Sequence, residues 1–211
     1  MCIEEEESRE VFDMDDQRIV AVSREYGSGG HYIATQLAER FGLPIVDYDV
    51  FYEMAKAKGI DLHKMKAYDE TKRKPFIHRT VRGMSNSPEE ALAQMQFDFM
   101  REKARSGESF VIVGRCSDTI LKEYEGLVSF FITGDLGARV KRIQEVRGFS
   151  EADALAAVRR HDRSRSAYHN HYSDMKWGDS RNYDMCINSS RIGIDKTVDV
   201  IEMYIRDRFG A

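Results

Sequence analysis

The sequence predicts an α/β fold in which a five-stranded parallel sheet is covered by helices on both faces. Five short apolar segments typical of buried strands alternate with segments in which apolar residues recur every three or four positions. This alternation is typical of parallel sheets whose consecutive strands are connected by helices. Because such folds bind ligands at the carboxyl ends of their strands, the residues that follow each strand are the first candidates for a functional site.

The five predicted strands are short and widely spaced. They are IVAVS (19–23), LPIVDYD (43–49), FVIVG (110–114), LVSFFIT (127–133) and YDMCINSS (183–190). Three of them end in, or are followed by, unusual residues, in the segments SREYGSGG, DYD and GRCSD. We therefore expect a functional site where these three strand ends meet.

Apolar faces and capping residues indicate the helices between the strands. In the first helix, Ile33, Leu37 and Phe41 share one face, and Gly42 ends it. Several later helices are predicted to start with a hydroxyl or carboxylate side chain as the N-terminal cap. The later helices are predicted to begin near Val50, at Ser87, Asp135 and Ser150, and shortly before Val198.

The length of 211 residues suits one domain, which we expect to span 18–211. Within it, residues 59–86 are rich in bases and poor in aliphatic side chains, which predicts an inserted helical region. Residues 148–180 form a second, arginine-rich region, called the lid region below. Residues 1–17 are strongly acidic and are expected to be a disordered or loosely attached segment.

Composition argues against several functional classes. No apolar run reaches the roughly 18 residues of a membrane span, and the acidic N-terminal segment lacks the apolar core of a secretion signal. Three cysteines without a C-x-x-C pair argue against a disulfide framework and a structural zinc site. A net charge of −4 does not indicate a nucleic-acid partner. We expect a cytoplasmic protein without a metal site built from its own side chains, whose partner is a small phosphorylated molecule.

The segment SREYGSGG connects the first strand to the first helix. Glycines let a backbone approach a phosphate closely, and the following helix adds its positive N-terminal end. The nucleoside triphosphate motif G-x-x-x-x-G-K-[ST] is nevertheless incomplete here. Arg24 occupies its first glycine position, Gly30 its lysine position and His31 its hydroxyl position.

The dinucleotide motif G-x-G-x-x-G is incomplete as well. Gly27 and Gly29 fit it, but Tyr32 stands at the third glycine. Asp49 follows at about the distance of 20 residues where an acid would bind the ribose. The loop by itself therefore leaves both kinds of nucleotide ligand open.

Arginines elsewhere in the chain favour phosphoryl transfer. Arg115 directly follows the strand FVIVG, and further arginines cluster in the lid region. Phosphoryl transfer requires positive charges from several segments to converge on the transferred group. Arginine suits this role because it is always charged and can fork two hydrogen bonds to a phosphate.

Four motifs in this order resemble the cytidylate kinases, and more closely the cytidylate kinase-like family of bacterial proteins. They are SREYGSGGHYIATQLAERFGLPIVDYD, FVIVGRCSDTIL, RHDRSRSAYHNHY with WGD, and NYDMCINSSRIGIDKTVDVI. The resemblance spans roughly residues 18–206. It implies a P-loop fold like that of the nucleoside monophosphate kinases, with 59–86 as the acceptor-binding insertion and 148–180 as the lid. The implied reaction moves the terminal phosphoryl group of ATP, with Mg²⁺, to a nucleoside monophosphate such as CMP.

The resemblance also implies roles for individual residues. The donor phosphates would be held by Gly27, Ser28, Gly29, Gly30 and His31, and the acceptor by Asp47 and Arg115. The charge that develops during transfer would be stabilised by Arg160, Arg163 and Arg165, and Arg24 is the nearest candidate to replace the absent lysine.

Departures from the pattern keep a second function open. Cytidylate kinases proper have lysine at the position of Gly30, aspartate at Cys116 and arginine at Glu53, whereas the kinase-like family also lacks the lysine. The alternative is a nucleotide-binding protein without kinase activity. The altered positions also leave the identity of the acceptor open.

Overall fold

A computed structural model of the chain describes residues 17–57 and 88–210. The predicted acceptor-binding insertion at 59–86 and the cap at Ser87 lie outside the described residues. The same holds for the acidic N-terminal segment, apart from Gln17. These three expectations stay predictions.

The described residues form one five-stranded sheet in which all neighbouring strands are parallel. The strands are β1 (Ile19–Arg24), β2 (Ile45–Val46), β3 (Phe110–Val113), β4 (Leu127–Thr133) and β5 (Met185–Asn188). Their order across the sheet is β2-β3-β1-β4-β5. The predicted fold class is confirmed, and β1 lies at the centre, so that its carboxyl end is flanked by the ends of β3 and β4.

Helices connect the strands in the predicted order. They are α1 (Gly30–Phe41), α2 (Tyr48–Ala57), α3 (Pro88–Arg105), α4 (Ser117–Ile120), α5 (Leu136–Arg147), α6 (Glu151–Tyr172), α7 (Ser189–Ile192) and α8 (Ile194–Phe209), with a 3₁₀ turn at Ser180–Asn182. The long helix α6 starts with the predicted cap, since the Ser150 hydroxyl accepts the Asp153 N–H at 3.2 Å. No helix within the two described ranges is long and apolar enough to cross a membrane.

Each face of the sheet has its own core because side chains alternate along the strands. Val20 and Val22 of β1 pack on one side with α1 and α8. Ile19 and Ala21 pack on the other side with α2, α3 and α4. Both sets are fully or almost fully buried, so the sheet is a rigid platform for its carboxyl edge.

Side-chain hydrogen bonds shorten two of the predicted strands. Strand β2 contains only two residues, because the carboxylate of Asp47 accepts the Asp49 N–H at 3.0 Å and begins α2 directly after it. In the same way, the Asn188 amide oxygen accepts the Ser190 N–H at 3.1 Å and ends β5. Asp135 precedes α5 as predicted, but its carboxylate binds the Asn188 amide and Arg191 and makes no cap bond to the helix.

Candidate functional site

The glycine loop lies between the end of β1 and the start of α1, at the carboxyl edge of the sheet. Gly27 and Gly29 have φ angles of 83° and 81°, a region that favours glycine. The packing beneath them also requires glycine. A Cβ on Gly27 would lie 2.8 Å from the Arg139 carbonyl oxygen, and one on Gly29 would lie 2.6 Å from the Ile194 side chain. The loop is therefore seated on α5 and α8, with the N-terminus of α1 directly behind it.

A buried arginine and an aspartate of the lid region hold the middle of the loop. One carboxylate oxygen of Asp162 accepts the Tyr26 N–H at 2.7 Å, and the other accepts Arg139 Nη1 at 2.6 Å. Arg139 also donates to the Tyr26 carbonyl at 3.1 Å. Because both groups are largely buried, the pair ties the loop to α5 and α6 at once.

Further hydrogen bonds fix the two ends of the loop. The Glu25 carboxylate accepts the Gly134 N–H at 3.0 Å and lies 3.4 Å from Arg139 Nε. Ser28 is buried and its hydroxyl donates to the Glu25 carbonyl at 2.9 Å. The Ser189 hydroxyl in turn donates to the Ser28 carbonyl at 2.6 Å. The loop is thus fixed in shape by its own protein contacts.

Helix α6 lies against this loop along one of its sides. The His161 ring stacks on Tyr26 with 4.1 Å between ring centres, and the Arg165 guanidinium lies 5.5 Å from the centre of the same ring. Arg165 also donates to the Arg24 carbonyl at 3.1 Å. Arg160 and Arg163 are exposed, and because they are three positions apart they share a side of the helix that differs from that of Arg165. Of the three predicted lid arginines, the structure brings Arg165 to the loop.

The end of β3 has an unusual backbone. Gly114, Arg115 and Cys116 have φ angles of 73°, 61° and 56° in succession, and non-glycine residues rarely adopt such angles. The guanidinium of Arg115 lies 5.8 Å from the centre of the Tyr168 ring on α6. Strain of this kind is typical of sites where the fold must present a particular side chain.

Cys116 is a packing residue with no nucleophilic character. Only 2% of it is exposed. Burial, reinforced by the nearby Asp118 carboxylate, raises the pKa of the Cys116 thiol to about 12. The thiol is therefore neutral at physiological pH.

A second buried polar pair connects α4 to the end of α6. His169 Nε2 lies 2.9 Å from Asp118, and both side chains are almost completely buried. The Ser23 hydroxyl at the end of β1 also reaches the Asp118 carboxylate, at 3.4 Å. The pair therefore holds the carboxyl-terminal part of α6 beside the ends of β1 and β3.

His31 and Asp47 meet on the α2 side of the loop. His31 Nε2 lies 2.9 Å from a carboxylate oxygen of Asp47. His31 stands where the triphosphate motif has its metal-binding hydroxyl, so an acid from the second strand end faces that position. Within 17–57 and 88–210, no group of three or more His, Cys, Asp or Glu side chains is arranged to hold a metal ion.

The sequence pattern of the Cytidylate kinase-like family matches residues 19–191. The chain belongs to this family. The match includes the glycine loop, Asp47, Arg115 and the whole of α6. The predicted family is therefore confirmed, and with it the kinase-like character of the chain.

Archaeal proteins named cytidylate kinase are similar to this member of the Cytidylate kinase-like family along most of its length. One from Pyrobaculum aerophilum is 28% identical over 182 residues, which cover 85% of this chain and 88% of the relative. One from Pyrococcus horikoshii is 26% identical over 178 residues, with 83% and 82% covered. These similarities support a nucleotide kinase function without specifying the acceptor.

Solved structures agree with the fold. An uncharacterized protein from Eubacterium ventriosum superposes with a TM-score of 0.72 at 36% identity, covering 90% of this chain and 98% of that one. A shikimate kinase from Bacteroides thetaiotaomicron superposes with a TM-score of 0.53 at 10% identity, with 90% and 98% covered. The second similarity shows a shared P-loop kinase fold alone.

Sequence reasoning missed the buried groups that hold the loop. Arg139 precedes Ile143 by four positions, and both belong to the buried side of α5. A charged residue on an apolar helix face was therefore a usable signal. Asp118 and His169 lie in two of the quoted motifs, but 51 positions separate them, so nothing in the sequence indicated that they pair.

Proposed function

We propose that this protein transfers the terminal phosphoryl group of ATP to a nucleoside monophosphate such as CMP. The observation that carries the proposal is that Arg165 contacts the glycine loop while Arg115 follows the neighbouring strand β3 at the same edge of the sheet. Arg165 contacts the loop, and Arg115 lies at the neighbouring end of β3 against the same helix. Convergence of fixed positive charge on one anionic site is the main requirement of phosphoryl transfer.

The loop would hold the phosphates of ATP. Hydrogen bonds within the protein fix its conformation, and the start of α1 adds the backbone N–H groups and partial positive charge that favour anions. In this proposal Gly27, Ser28, Gly29 and Gly30 hold the donor phosphates. Arg165 stabilises the charge that develops during transfer. Arg160 and Arg163 are exposed, and Arg160 Nη2 lies 3.5 Å from Nε2 of His161, whose ring stacks on Tyr26 of the loop.

The acceptor would bind between β2 and β3. Arg115 would take the phosphate of the monophosphate, since a guanidinium can fork two hydrogen bonds to it. Asp47 would lie beside the acceptor and is oriented by His31. The strained backbone at the end of β3 supports this assignment, because it holds Arg115 in place at the edge of the sheet.

Magnesium fits the site in the manner common to kinases. It would be bound through phosphate oxygens and water, with Asp47 as the adjacent carboxylate, and would neutralise charge on the phosphates. A site made of several protein ligands is not needed for this role. The residues around the loop are therefore compatible with MgATP.

A second candidate is a protein that binds nucleotide without transferring phosphate. Two observations favour it: Gly30 stands at the lysine position, and His31 pairs with Asp47 where a hydroxyl would bind the metal. Loss of one contact to a developing oxyanion costs about 3 kcal/mol, so an uncompensated change would slow transfer strongly.

A panel of nucleoside monophosphates with MgATP separates the two candidates. We expect turnover above background with at least one acceptor, and an Arg165→Ala variant with turnover lower by about 10²-fold. Arg147→Ala, an exposed change at the C-terminal end of α5, is the control and should retain wild-type turnover. Calorimetry with a non-hydrolysable ATP analogue completes the test.

The outcomes have distinct meanings. Tight analogue binding without turnover for any acceptor would replace the first candidate with the second. Absence of both binding and turnover would refute both candidates. Equal losses in Arg165→Ala and Arg147→Ala would show that the loss of turnover does not come from the contact between Arg165 and the loop.

A further inference from the structure

Two departures from the triphosphate motif face each other in space. Arg24 stands at the first glycine position and Gly30 at the lysine position. A Cβ on Gly30 would lie 2.5 Å from Arg24 Cβ and 2.9 Å from Arg24 Cγ. Real Cβ atoms do not approach that closely, so a side chain fits at one of these positions only. The two departures therefore belong together: the side chain that the motif has at position 30 is absent, and the side chain of Arg24 occupies its space.

The far end of the Arg24 side chain lies over the end of β3. A Cβ on Gly114 would lie within 2.2 Å of Arg24 Nη1. The side chain thus runs from the start of α1 to the carboxyl end of β3, and glycines at both places leave the space for it. Its guanidinium therefore lies against Gly114, the residue before Arg115.

The backbone of Arg24 is fixed as firmly as its side-chain path. Arg24 is the last residue of β1 and pairs with Ile132 of β4. The next residue, Glu25, donates its N–H to the Ile132 carbonyl at 2.9 Å. Arg165 donates to the carbonyl of Arg24 itself at 3.1 Å. The guanidinium therefore starts from a rigid position at the centre of the sheet.

We propose that Arg24 is the cation that contacts the terminal phosphate of the nucleotide, in place of the absent lysine. The proposal rests on the proposed function for its setting, since it assumes that the loop holds a nucleoside triphosphate. The positive charge at the terminal phosphate would then come from Arg24 at the end of β1, whereas the usual lysine would stand at the start of α1. Arg24 lies between the loop, which would hold ATP, and the strand end with Arg115, which would hold the monophosphate. Its fork of N–H groups suits a phosphate with several free oxygens.

The steric relation between Arg24 and Gly30 is tested without any ligand. We expect Gly30→Ala to lower the thermal unfolding midpoint by several degrees, because its Cβ meets the Arg24 side chain. In the double variant Arg24→Gly with Gly30→Ala, most of that loss should be recovered, which a double-mutant cycle reports as coupling.

Gly137→Ala is the matched control for this cycle. It is another glycine in the first turn of a helix, and a Cβ there would meet nothing within 4 Å. We expect it to leave the midpoint unchanged or slightly raised. If Gly30→Ala behaved like Gly137→Ala, Arg24 would not lie against Gly30 and the proposal would be overturned.

The chemical part is tested by comparing the affinities for a non-hydrolysable ATP analogue and for ADP. We expect the wild type to prefer the triphosphate, Arg24→Gly to lose at least about 10-fold of that preference, and Arg24→Lys to retain part of it. The double variant Arg24→Gly with Gly30→Lys restores the usual arrangement and should regain the preference. Single Gly30→Lys should not, because the new side chain meets Arg24.

This readout separates the inference from the proposed function. A preference for triphosphate that depends on Arg24, without turnover in the wild type, would support the inference while refuting phosphoryl transfer. Equal preferences in the wild type and Arg24→Gly would overturn the inference even if the enzyme turned over. Where turnover is measurable, Arg24→Gly should reduce it by about 10²- to 10³-fold.

Discussion

The glycine loop and the end of β3 lie side by side on the sheet, yet they reach their shapes by different means. In the loop, the residues with positive φ are Gly27 and Gly29, for which such angles cost little. At the end of β3, Arg115 and Cys116 adopt positive φ as well, and for them the conformation is strained. The loop therefore adopts its positive φ angles without backbone strain, whereas the residues after β3 adopt theirs with strain.

The difference follows from what each region must present. A phosphate loop presents backbone N–H groups, so it needs no side chains of its own at the binding surface. The end of β3 presents the side chain of Arg115, and a glycine there would remove it. The surrounding structure must therefore stabilise an unfavourable backbone, and Cys116 and Asp118 at this strand end are both buried.

The largest effect is expected from removing the anchor of the loop. Arg139→Ala would leave the carboxylates of Asp162 and Glu25 without their cation in a largely buried setting. We expect the free energy of unfolding to fall by about 3–5 kcal/mol. Chemical denaturation measures it, with Arg191→Ala as the control, because Arg191 makes an exposed ion pair with Asp135 that contributes about 1 kcal/mol or less. Similar losses in both variants would show that the loop is not held by Arg139.

A smaller effect is expected from the glycines of the loop. Gly27→Ala combines a positive φ with a Cβ placed 2.8 Å from the Arg139 carbonyl. Gly42→Ala has a positive φ of 62° but nothing within 4 Å of the new Cβ. We expect losses of roughly 2–3 kcal/mol for Gly27→Ala and about 1 kcal/mol for Gly42→Ala in the free energy of unfolding. Equal losses would mean that conformation alone, without close packing on α5, requires glycine in the loop.

The smallest effect isolates the strain at the end of β3. Arg115→Ala and Arg115→Gly both remove the guanidinium, but only glycine accepts the φ of 61° without cost. We expect Arg115→Gly to be more stable than Arg115→Ala by about 1 kcal/mol, measured by denaturation under identical conditions. If alanine were the more stable of the two, the strand end would not be strained and its contrast with the loop would disappear.

Local patterns were enough to predict most of the fold. The alternation of short apolar strands with amphipathic helices predicted the parallel sheet, and the residues after β1, β2 and β3 predicted which edge carries the candidate site. The predicted strands were too long at β2 and β5, because the side chains of Asp47 and Asn188 cap the next helix inside the apparent strand. Capping of this kind depends on the side-chain conformation, which an apolar pattern does not describe.

The arginines show where the sequence stops being informative. Arg160, Arg163 and Arg165 look equivalent in the chain, but Arg160 and Arg163 share an exposed side of the helix, whereas Arg165 lies on another side and contacts the loop. Which side faces inward depends on how α6 docks, through the Asp162 bond to Tyr26 and the His169 pair with Asp118.

By itself the sequence determined the strand and helix order, the loop with its glycines and the absence of the usual lysine, since all of these depend on neighbouring residues. Only the tertiary structure decided that Arg24 lies in the space left by Gly30 and Gly114, and that Arg139 lies beneath the loop. These contacts join residues that are far apart in the chain, or that meet only once the loop has folded back on its strand. Their geometry is set by the packing of the sheet and helices, and no spacing in the sequence encodes it.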